Sequence, residues 1–400
     1  LIEFKFKNGL ELDNSICEEF QNTTKYKNYL FSSAIDFIYE FFNFENKMNN
    51  NIIPCRFKIL TLNTTEYNKS YLLQLYDNFI KLDNSTSEYF KYKIFFDTII
   101  QIPFNTINNI KIPNNDINEY LLQSKQILND NIFGHIKTKE CIIQTIGQYI
   151  TNPNTIGNII GLHGPPGTGK TTFVKNISTI LQRPVEIINL SGAQDVSYLE
   201  GHSCTYEGSK YGKIIHTLIK HGSMNPIIFF DEVDKISKTE KGLELENLLI
   251  NLVDITQNNN FTDKYFQEIS IDLSKILFIF SYNYVDDINP VLKDRIYEIK
   301  VEGYSHNEKI ELCLNYLIPN IMTHFSFKKN DIIFQENAIK YIIDKYSKDD
   351  SGVRNLIKII KNIVSKLHII YITNNSSLVN VNNNIKFPLK INKNNIKQFL

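Results

Sequence analysis

Eight consecutive residues of the sequence have the composition of a phosphate-binding loop. They run from Gly164 to Thr171 and fit the pattern G-x-x-x-x-G-K-[ST]. Glycines let backbone N–H groups curl around phosphate oxygens, and a following helix directs its positive end at them. Lys170 would reach the outer phosphates and the Thr171 hydroxyl would bind Mg²⁺. The predicted nucleotide-binding residues of this loop are Gly164, Pro165, Pro166, Gly167, Thr168, Gly169, Lys170, Thr171 and Thr172.

Two adjacent carboxylates follow an apolar run further along the chain. Asp231 and Glu232 come directly after Ile227–Phe230. Because successive strand side chains point to opposite faces, two carboxylates at a strand end have different surroundings. We expect Asp231 to hold Mg²⁺ through its water shell and Glu232 to polarise an attacking water as general base. Taken alone, the pair also fits a solvated strand end, and the phosphate loop upstream favours the catalytic interpretation.

Arginine is scarce, which makes its positions informative. The 43 basic residues include only Arg56, Arg183, Arg295 and Arg354. A guanidinium group is a permanently charged planar fork that suits phosphate, and lysine fills nearly every other basic position here. We therefore predict that Arg295 and Arg354 contact nucleotide phosphates, the alternative being ordinary surface ion pairs.

Bulk composition narrows the class of protein. The 400 residues leave room for two or three domains, and 42% hydrophobic and 22% charged residues are typical of a soluble globular chain. Lys+Arg and Asp+Glu both total 43, so no bulk charge attracts nucleic acid or anionic lipid. Five scattered cysteines without Cys-x-x-Cys argue against a disulfide framework or zinc site and favour a reducing compartment. No apolar run reaches about 18 residues, so no membrane span is predicted.

The elements that must position these side chains form an alternating pattern. Twelve of the 16 glycines lie between Gly134 and Gly222, where tight turns are expected. Apolar runs alternate with helical ones from about residue 129 to 302, which predicts βαβ units and a parallel sheet covered on both faces. The predicted strands are Asn158–His163, Val185–Leu190, Ile227–Phe230, Ile276–Phe280 and Tyr297–Val301.

The rest of the chain is predicted to be mainly helical. We interpret residues 1–52 as a remnant of an upstream domain, 53–128 as a helical arm, 129–302 as the large α/β domain, 303–372 as a small helical domain and 373–400 as a connector. Helical segments are predicted at Tyr71–Lys81, Tyr89–Ile100, Thr171–Leu181, His306–Tyr316, Gln335–Tyr346 and Gly352–Tyr371, and a loop at Asn374–Asn384.

Several segments carry a specific family resemblance. Residues 201–215 contain Gly-His, Thr-Tyr and Gly-Lys-Ile landmarks, and 261–266 with 272–275 form a second distinctive stretch. Residues 130–135, 292–299 and 351–356 add further matches. Together these resemble the ATPase module of the Lon family of ATP-dependent proteases, over roughly residues 92–400. The resemblance implies an α/β AAA+ P-loop NTPase domain with a five-stranded parallel sheet and helices on both faces, a C-terminal helical small domain and an N-terminal mainly helical arm.

The resemblance also implies roles for individual residues. Asn283 would position the water and sense the γ-phosphate, Arg295 would act as arginine finger in a neighbouring subunit, and Arg354 would reach the nucleotide of its own subunit. Phe133 and Gly134 would lie beside the adenine. Tyr206, flanked by Glu207, would grip substrate in a central pore. The further substrate-pore residues implied by the resemblance are Phe261 and Tyr265.

The implied cofactors and partners are those of a protein-threading motor. ATP and Mg²⁺ would drive a homo-hexameric ring that acts on unfolded or damaged proteins, with weak DNA binding as a family property. Nothing in the sequence matches the Ser–Lys protease domain of the family, and the chain starts at Leu1 rather than Met, so we expect a partial chain. The sequence does not determine the compartment. Abundant Asn, Ile, Lys and Tyr are typical of an AT-rich genome, such as that of a large DNA virus, and a viral protein is expected in the host cytoplasm. A cellular member of this family is expected in the mitochondrial matrix.

Two alternatives remain open at this point. A chaperone-like remodeller without a protease domain would share all of these motifs. A nucleic-acid-associated AAA+ motor would need a basic stripe along the two pore loops that the resemblance implies, the first in residues 201–215 and the second in residues 261–266. Glu207 accompanies Lys210 and Lys213 in the first loop, and Asp263 precedes Lys264 in the second. This mixed charge disfavours a phosphate track.

Overall fold

The computed structural model describes residues 54–400 except 114–115, 153–158, 193–194, 205–207, 329, 374, 380 and 382–384. The predicted upstream remnant therefore lies outside the described residues. The described helices are α1 (Cys55–Leu60), α2 (Glu66–Phe79), α3 (Ser87–Ile99), α4 (Ile117–Asn131), α5 (Ile136–Thr151), α6 (Lys170–Leu181), α7 (Ser197–Glu200), α8 (Lys213–His221), α9 (Glu240–Val253), α10 (Pro290–Asp294), α11 (His306–Leu312), α12 (Ile318–His324), α13 (Glu336–Tyr346) and α14 (Arg354–Thr373). The described strands are β1 (Ile159–His163), β2 (Val185–Asn189), β3 (Ile227–Asp231), β4 (Phe261–Thr262), β5 (Ser270–Ile271), β6 (Leu277–Tyr282), β7 (Tyr297–Lys300), β8 (Ile332–Phe334) and β9 (Leu389–Ile391).

Five strands form one parallel sheet in the order β2-β3-β6-β1-β7. Their near-continuous apolar sequences suit strands that are covered on both faces, and every side chain of β6 is buried. The predicted α/β class and five-stranded parallel sheet are confirmed. Strand bounds differ from the prediction by only one or two residues. The carboxyl ends of β1, β3 and β6 are neighbours, so the polar residues that follow them meet at one sheet edge.

Helices α4, α5 and α6 pack with this sheet in one hydrophobic cluster that includes Leu128, Ile146, Phe173 and Ile279. Because α4 contributes Tyr120 and Leu128 to that cluster, the helical arm does not extend to the predicted boundary at residue 128. Helix α4, which the prediction included in the arm, is part of the α/β core.

A second hydrophobic cluster holds the helical C-terminal region. It combines residues of α11–α14 with Ile391, Ile396 and Phe399, each 0% exposed. Strand β9 also pairs with β8 in a small parallel sheet that the sequence analysis missed. The described residues of the segment predicted as a connector, 373–400, therefore include several that pack into the small helical domain. Predicted helix 306–316 continues through a π-helical turn, Cys313–Leu317, into α12.

The described residues divide into two compact units that are discontinuous in sequence. Unit 1 contains residues 54–108, 195–226 and 254–276. Unit 2 contains residues 109–194, 227–253 and 277–400, and hence the whole five-stranded sheet. In the part of the chain that the structure describes, no helix has the length and apolar character needed to cross a bilayer.

Candidate active site

The phosphate loop joins β1 to α6 as predicted. Gly169 adopts φ +92°, and an added Cβ there would meet nothing within 4 Å, so the loop is open where it turns into α6. No side chain caps the first N–H groups of this 12-residue helix. Uncapped N–H groups and the positive helix end together make a binding site for phosphate. Thr168 is buried and stabilises the turn by donating its hydroxyl to the Pro165 carbonyl at 2.9 Å.

Lys170 is held by oxygen atoms from two elements. Its Nζ donates to Asn283 Oδ1 at 2.7 Å and to the Pro165 carbonyl at 3.0 Å, and it also bonds to the Gly164 carbonyl. Burial lowers the pKa of Lys170 to about 8, and the nearby Asp231 and Asp234 carboxylates act in the opposite direction. The bond to Lys170 places Asn283 at the phosphate loop. Asn283 is the residue predicted to sense the γ-phosphate.

The two carboxylates are linked through a serine on the neighbouring strand. Ser281 is buried, and its hydroxyl donates to Asp231 Oδ1 while accepting the Glu232 N–H at 3.2 Å. Glu232 itself takes a left-handed conformation, with φ 60° and ψ 48°. A non-glycine residue in that region is rare and costs energy, and such residues cluster at functional sites. The strand end therefore turns sharply at the predicted general base.

Asp234 connects the same turn to the loop after β6. Its side chain is fully buried, and its Oδ2 accepts the Asn283 N–H at 3.1 Å and the Tyr284 N–H at 3.3 Å. The carboxylate thus fixes the backbone that carries Asn283 relative to the turn that carries Glu232. Because a carboxylate accepting backbone N–H groups makes strong hydrogen bonds, this connection is rigid.

The start of α14 lies directly against the phosphate loop. The Val353 N–H donates to the Gly167 carbonyl at 3.1 Å. A Cβ added to Gly167 would lie 3.1 Å from both the backbone nitrogen and the Cβ of Arg354. A Cβ added to Gly352 would lie 2.2 Å from the Pro166 carbonyl oxygen. This close contact brings the backbone and Cβ of Arg354 to the phosphate loop, and its contact with the nucleotide stays a prediction.

Arg295 follows α10, and its guanidinium NH1 donates to the Ile250 carbonyl in α9 at 3.0 Å. The residue is half-buried. The structure therefore holds Arg295 by a contact with α9, whereas Arg354 is held at the phosphate loop. A finger for a neighbouring subunit remains a prediction for Arg295.

The predicted adenine side of the site joins α4–α5 to the small helical domain. The Phe133 ring lies 5.6 Å from Tyr316, and Gly134 adopts φ +65°. His135 follows, also left-handed, with its ring 4.5 Å from Tyr304. Burial lowers the pKa of His135, and the Glu308 carboxylate acts in the opposite direction.

The residues present fit a bound Mg²⁺. Magnesium prefers oxygen ligands and usually keeps several waters, with one or two carboxylates plus substrate phosphates. Thr171 follows Lys170 at the start of α6, and Asp231 ends β3 with part of its surface accessible. The second Asp231 oxygen stays available for a metal-bound water because Ser281 bonds to the first. These two residues would hold the ion that neutralises phosphate charge.

The predicted pore residues have two different outcomes. Tyr206 and Glu207 lie outside the described residues. Phe261 and Tyr265 are 8% and 4% exposed, and the Tyr265 ring lies 6.0 Å from Phe95 of α3. Both side chains therefore pack inside unit 1, and their role as substrate-pore residues stays a prediction.

Sequence reasoning missed Ser281, Asp234 and His135. Ser281 lies two residues before Asn283, and Asp234 lies two residues after Glu232. For Ser281 the available signal was a small polar residue at the end of an apolar strand. Asp234 resembles any surface acid until its partner, the Asn283 amide, is known. His135 lies within the matched residues 130–135, but the resemblance assigned it no role.

Two family models match the chain. One describes the ATPase family associated with various cellular activities (AAA) and matches residues 160–302. The other describes the Lon protease AAA+ ATPase lid domain and matches residues 324–378. The first match contains the phosphate loop and both carboxylates, and the second contains Arg354.

Curated relatives extend the similarity over most of the chain. A Lon protease homolog of Acanthamoeba polyphaga mimivirus is 37% identical over 326 residues, which is 79% of this chain and 31% of that protein. The Lon protease of Malacoplasma penetrans is 33% identical over 289 residues, 72% of this chain and 36% of the relative. A mitochondrial Lon protease homolog of Drosophila melanogaster is 34% identical over 286 residues, which is 72% of this chain and 27% of the relative. The chain thus aligns with about a third of the length of these relatives.

Proposed function

Because the chain carries an AAA+ ATPase module of the Lon family, we propose that it couples ATP hydrolysis to the unfolding and threading of polypeptides for proteolysis. The observation that carries this proposal is the connected set of side chains at one sheet edge. Lys170 bonds to Asn283, and Ser281 bonds to Asp231 and to the Glu232 backbone. A phosphate donor bound at the loop would meet the metal-binding oxygens and the general base together.

Each of these residues has a separate role in ATP hydrolysis. Lys170 and the N–H groups at the start of α6 bind and orient the phosphates. Thr171 and Asp231 hold Mg²⁺, which when bound neutralises phosphate charge. Glu232 accepts the proton of the attacking water, and Asn283 orients that water. Arg354 closes over the nucleotide of its own subunit.

Ring assembly and threading are the second part of the proposal. Arg295 would complete the site of a neighbouring subunit in a homo-hexamer, since a finger supplied from outside adds charge stabilisation only after assembly. Tyr206 would contact the moving polypeptide. An aromatic side chain wedges against backbone without reading sequence, which suits unfolded or damaged proteins as substrates.

Peptide cleavage belongs to the longer protein in this proposal. The relatives named Lon protease are about three times longer than the aligned part, and we infer that a Ser–Lys protease domain lies outside these 400 residues. The alternative is a remodeller without peptidase activity. The open reading frame around this chain distinguishes the two: an in-frame Ser–Lys domain supports the protease, and a complete frame without one supports the remodeller.

The central experiment compares wild type with Glu232→Gln. ATP turnover is measured with and without casein, together with the mass of the particle in solution. Loss of the general base should lower turnover about 100-fold or more while ATP still binds. Glu244→Gln, an exposed carboxylate on α9, is the matched control and should turn over like wild type.

Each outcome of this experiment has a defined meaning. Hexameric mass and casein-stimulated turnover that Glu232→Gln abolishes would support a threading motor. A Glu232→Gln protein that hydrolyses ATP like wild type would refute the assignment of the base. Casein-independent turnover with stimulation by single-stranded DNA instead would favour the nucleic-acid alternative.

A further inference from the structure

Two segments of unit 1 overlap the predicted pore loops, residues 201–215 and 261–266. The first pore segment is residues 201–212, and the second pore segment is residues 261–270. Tyr206, the residue proposed to grip substrate, belongs to the first, and its immediate surroundings lie outside the described residues. The two ends of the first segment are described, and they determine how the loop is anchored.

The ends of the first pore segment form a narrow neck. A Cβ added to Gly212 would lie 2.0 Å from the Leu199 carbonyl oxygen and 2.7 Å from the Gly201 nitrogen. The His202 N–H also donates to the Lys210 carbonyl at 3.1 Å. The two sides of the neck are therefore in backbone contact. No side chain larger than a hydrogen atom fits at Gly201 or Gly212.

Asp263 of the second pore segment bonds to this neck. It is 0% exposed, and its Oδ2 accepts the Gly212 N–H at 2.7 Å while Oδ1 accepts the Tyr265 N–H at 2.8 Å. A Cβ on Gly201 would lie 2.4 Å from Asp263 Oδ1, so the carboxylate fits between both sides of the neck. A buried carboxylate is costly unless its oxygens are satisfied, and here each oxygen has a backbone donor.

The neighbouring residue makes a second connection between the same segments. The Lys264 N–H donates to the Glu200 carbonyl at 2.8 Å, and the Lys264 ammonium pairs with the Glu200 carboxylate. Glu200 immediately precedes the neck. The ion pair is partly exposed, so it contributes less than the buried Asp263 carboxylate.

The second pore segment is in turn anchored to the helical arm. Asn68 of α2 is 0% exposed; its Nδ2 donates to the Ser270 carbonyl at 2.8 Å, and its Oδ1 accepts the Ser270 N–H at 3.3 Å. Phe266 is fully buried with its ring 5.3 Å from Phe95 of α3. The arm therefore supports the second segment, which holds the neck of the first.

We propose that Asp263 is a positioning residue that fastens the neck of the first pore segment to the arm-supported second segment, so that both segments move together when substrate is handled. The proposal rests on the proposed threading function for its consequence, whereas the fastening itself concerns contacts within unit 1. A charge-assisted bond to a buried amide resists local opening more strongly than a neutral one.

The test measures hydrogen exchange of the full chain in wild type, Asp263→Asn and Asp263→Ala. Burial raises the pKa of Asp263 to about 7, so the measurement is made at about pH 8, where the carboxylate is charged. Peptides covering 199–216 should exchange about tenfold faster or more in both variants. Asp272→Asn is the matched control, because Asp272 is an exposed carboxylate of the same stretch that bonds only locally, to the Ser274 N–H.

The functional readout is casein-stimulated ATP turnover of the same proteins. We expect Asp263→Asn to lose most of the stimulation while it keeps the nucleotide affinity of wild type, and Asp272→Asn to keep both. This split separates positioning from a general structural role, which would reduce nucleotide affinity and thermal stability together. If Asp263→Ala does not fold, the near-isosteric Asp263→Asn variant alone decides whether Asp263 fastens the neck.

Unchanged exchange of the neck in Asp263→Asn would overturn the proposal. A loosened neck with undiminished casein stimulation would overturn the positioning role. If wild type itself shows no casein stimulation, the threading function fails, and the exchange comparison still decides whether Asp263 fastens the neck.

Discussion

At the scale of single residues, the site depends on a half-buried lysine, Lys170, to which no carboxylate of the described residues is hydrogen-bonded. Lys170 Nζ donates to the Asn283 amide oxygen and to two backbone carbonyls. Neutral oxygens replace water imperfectly for an ammonium group, and the charged form is disfavoured. This explains the lowered pKa and implies that phosphate binding restores a full charge partner.

A dependence of ATP affinity on pH follows from this lowered pKa. The pKa of Lys170 is lowered to about 8, so the lysine is charged at about pH 7 and mostly neutral at about pH 9. Because phosphate binds the charged form, Kd for ATP should rise about tenfold over that interval. Equilibrium binding of a fluorescent ATP analogue to Glu232→Gln, which should not hydrolyse it, measures the effect.

Unfolding should not cause this loss of affinity. A lysine whose folded pKa lies below its usual 10.5 destabilises the folded chain while it is charged, and this destabilisation decreases as pH rises from about 8 toward 10.5. The nucleotide-free protein should therefore gain stability from this group in the interval where binding weakens. Lys170→Arg, which stays charged, is the control; a Kd that rises equally in that variant would contradict the explanation.

Residue types with local signals could be predicted, and residues with tertiary roles could not. The phosphate loop and the Asp231-Glu232 pair were predicted from short patterns, because their chemistry requires those types at fixed spacing. The burial of Tyr265 could not be predicted, because it depends on Phe95, which lies far away in the sequence. Ser281 and Asp234 act through atoms of other elements, and no local pattern reports those partners.

At the scale of elements, the docking of α14 on the phosphate loop depends on two glycines. Gly352 faces the Pro166 carbonyl and Gly167 faces the start of α14, so the backbones touch without intervening side chains. This contact belongs to the nucleotide site as much as to the small domain. Any nucleotide-dependent movement of the loop would be transmitted to α14 and through it to the helical cluster that contains Leu356 and Ile360.

Gly352→Ala tests this contact. The added Cβ would lie 2.2 Å from backbone oxygen and 2.9 Å from backbone carbon of the loop, so α14 and Arg354 must shift away. We expect ATP turnover to fall about tenfold or more, because misplacement by about 1 Å can cost that much or more. Circular dichroism should show retained helix content, since both packed clusters remain intact.

Gly147→Ala is the matched control for that substitution. Gly147 lies inside α5, and its added Cβ would have only Leu121 Cδ1 nearby, at 3.9 Å. Turnover should stay at the wild-type level, and stability should rise by up to about 1 kcal/mol because alanine favours helix. Full turnover in Gly352→Ala would show that α14 does not control the site.

At the scale of the whole molecule, order along the chain differs from order in space. Unit 1 collects the arm with residues 195–226 and 254–276, two excursions from the α/β domain. Patterning identified the sheet, since each strand is locally apolar, but the pairing of the arm with these excursions involves contacts such as Asn68 with Ser270. Periodicity within a segment carries no information about such a partner.

Assembly makes the sharpest prediction at this scale, because the proposed function takes the two essential groups of one site, Glu232 and Arg295, from different subunits. Arg295→Ala and Glu232→Gln should each bind ATP and turn it over about 100-fold more slowly than wild type. When the two variants are mixed and reassembled, some interfaces combine an intact Glu232 from one subunit with an intact Arg295 from its neighbour. Turnover of the mixture should therefore exceed that of either variant alone.

The stoichiometry of the mixture decides between a finger that acts across subunits and one that acts within its own. Sites with both intact groups arise only at mixed interfaces, so recovered activity should be greatest near equal amounts of the two variants and vanish toward either pure protein. A mixture of Lys170→Met with Glu232→Gln is the control and should recover nothing, because both changes disable the same subunit's site. If the Arg295→Ala mixture also recovers nothing while its mass is that of the wild-type ring, Arg295 serves its own chain, where it already bonds to Ile250.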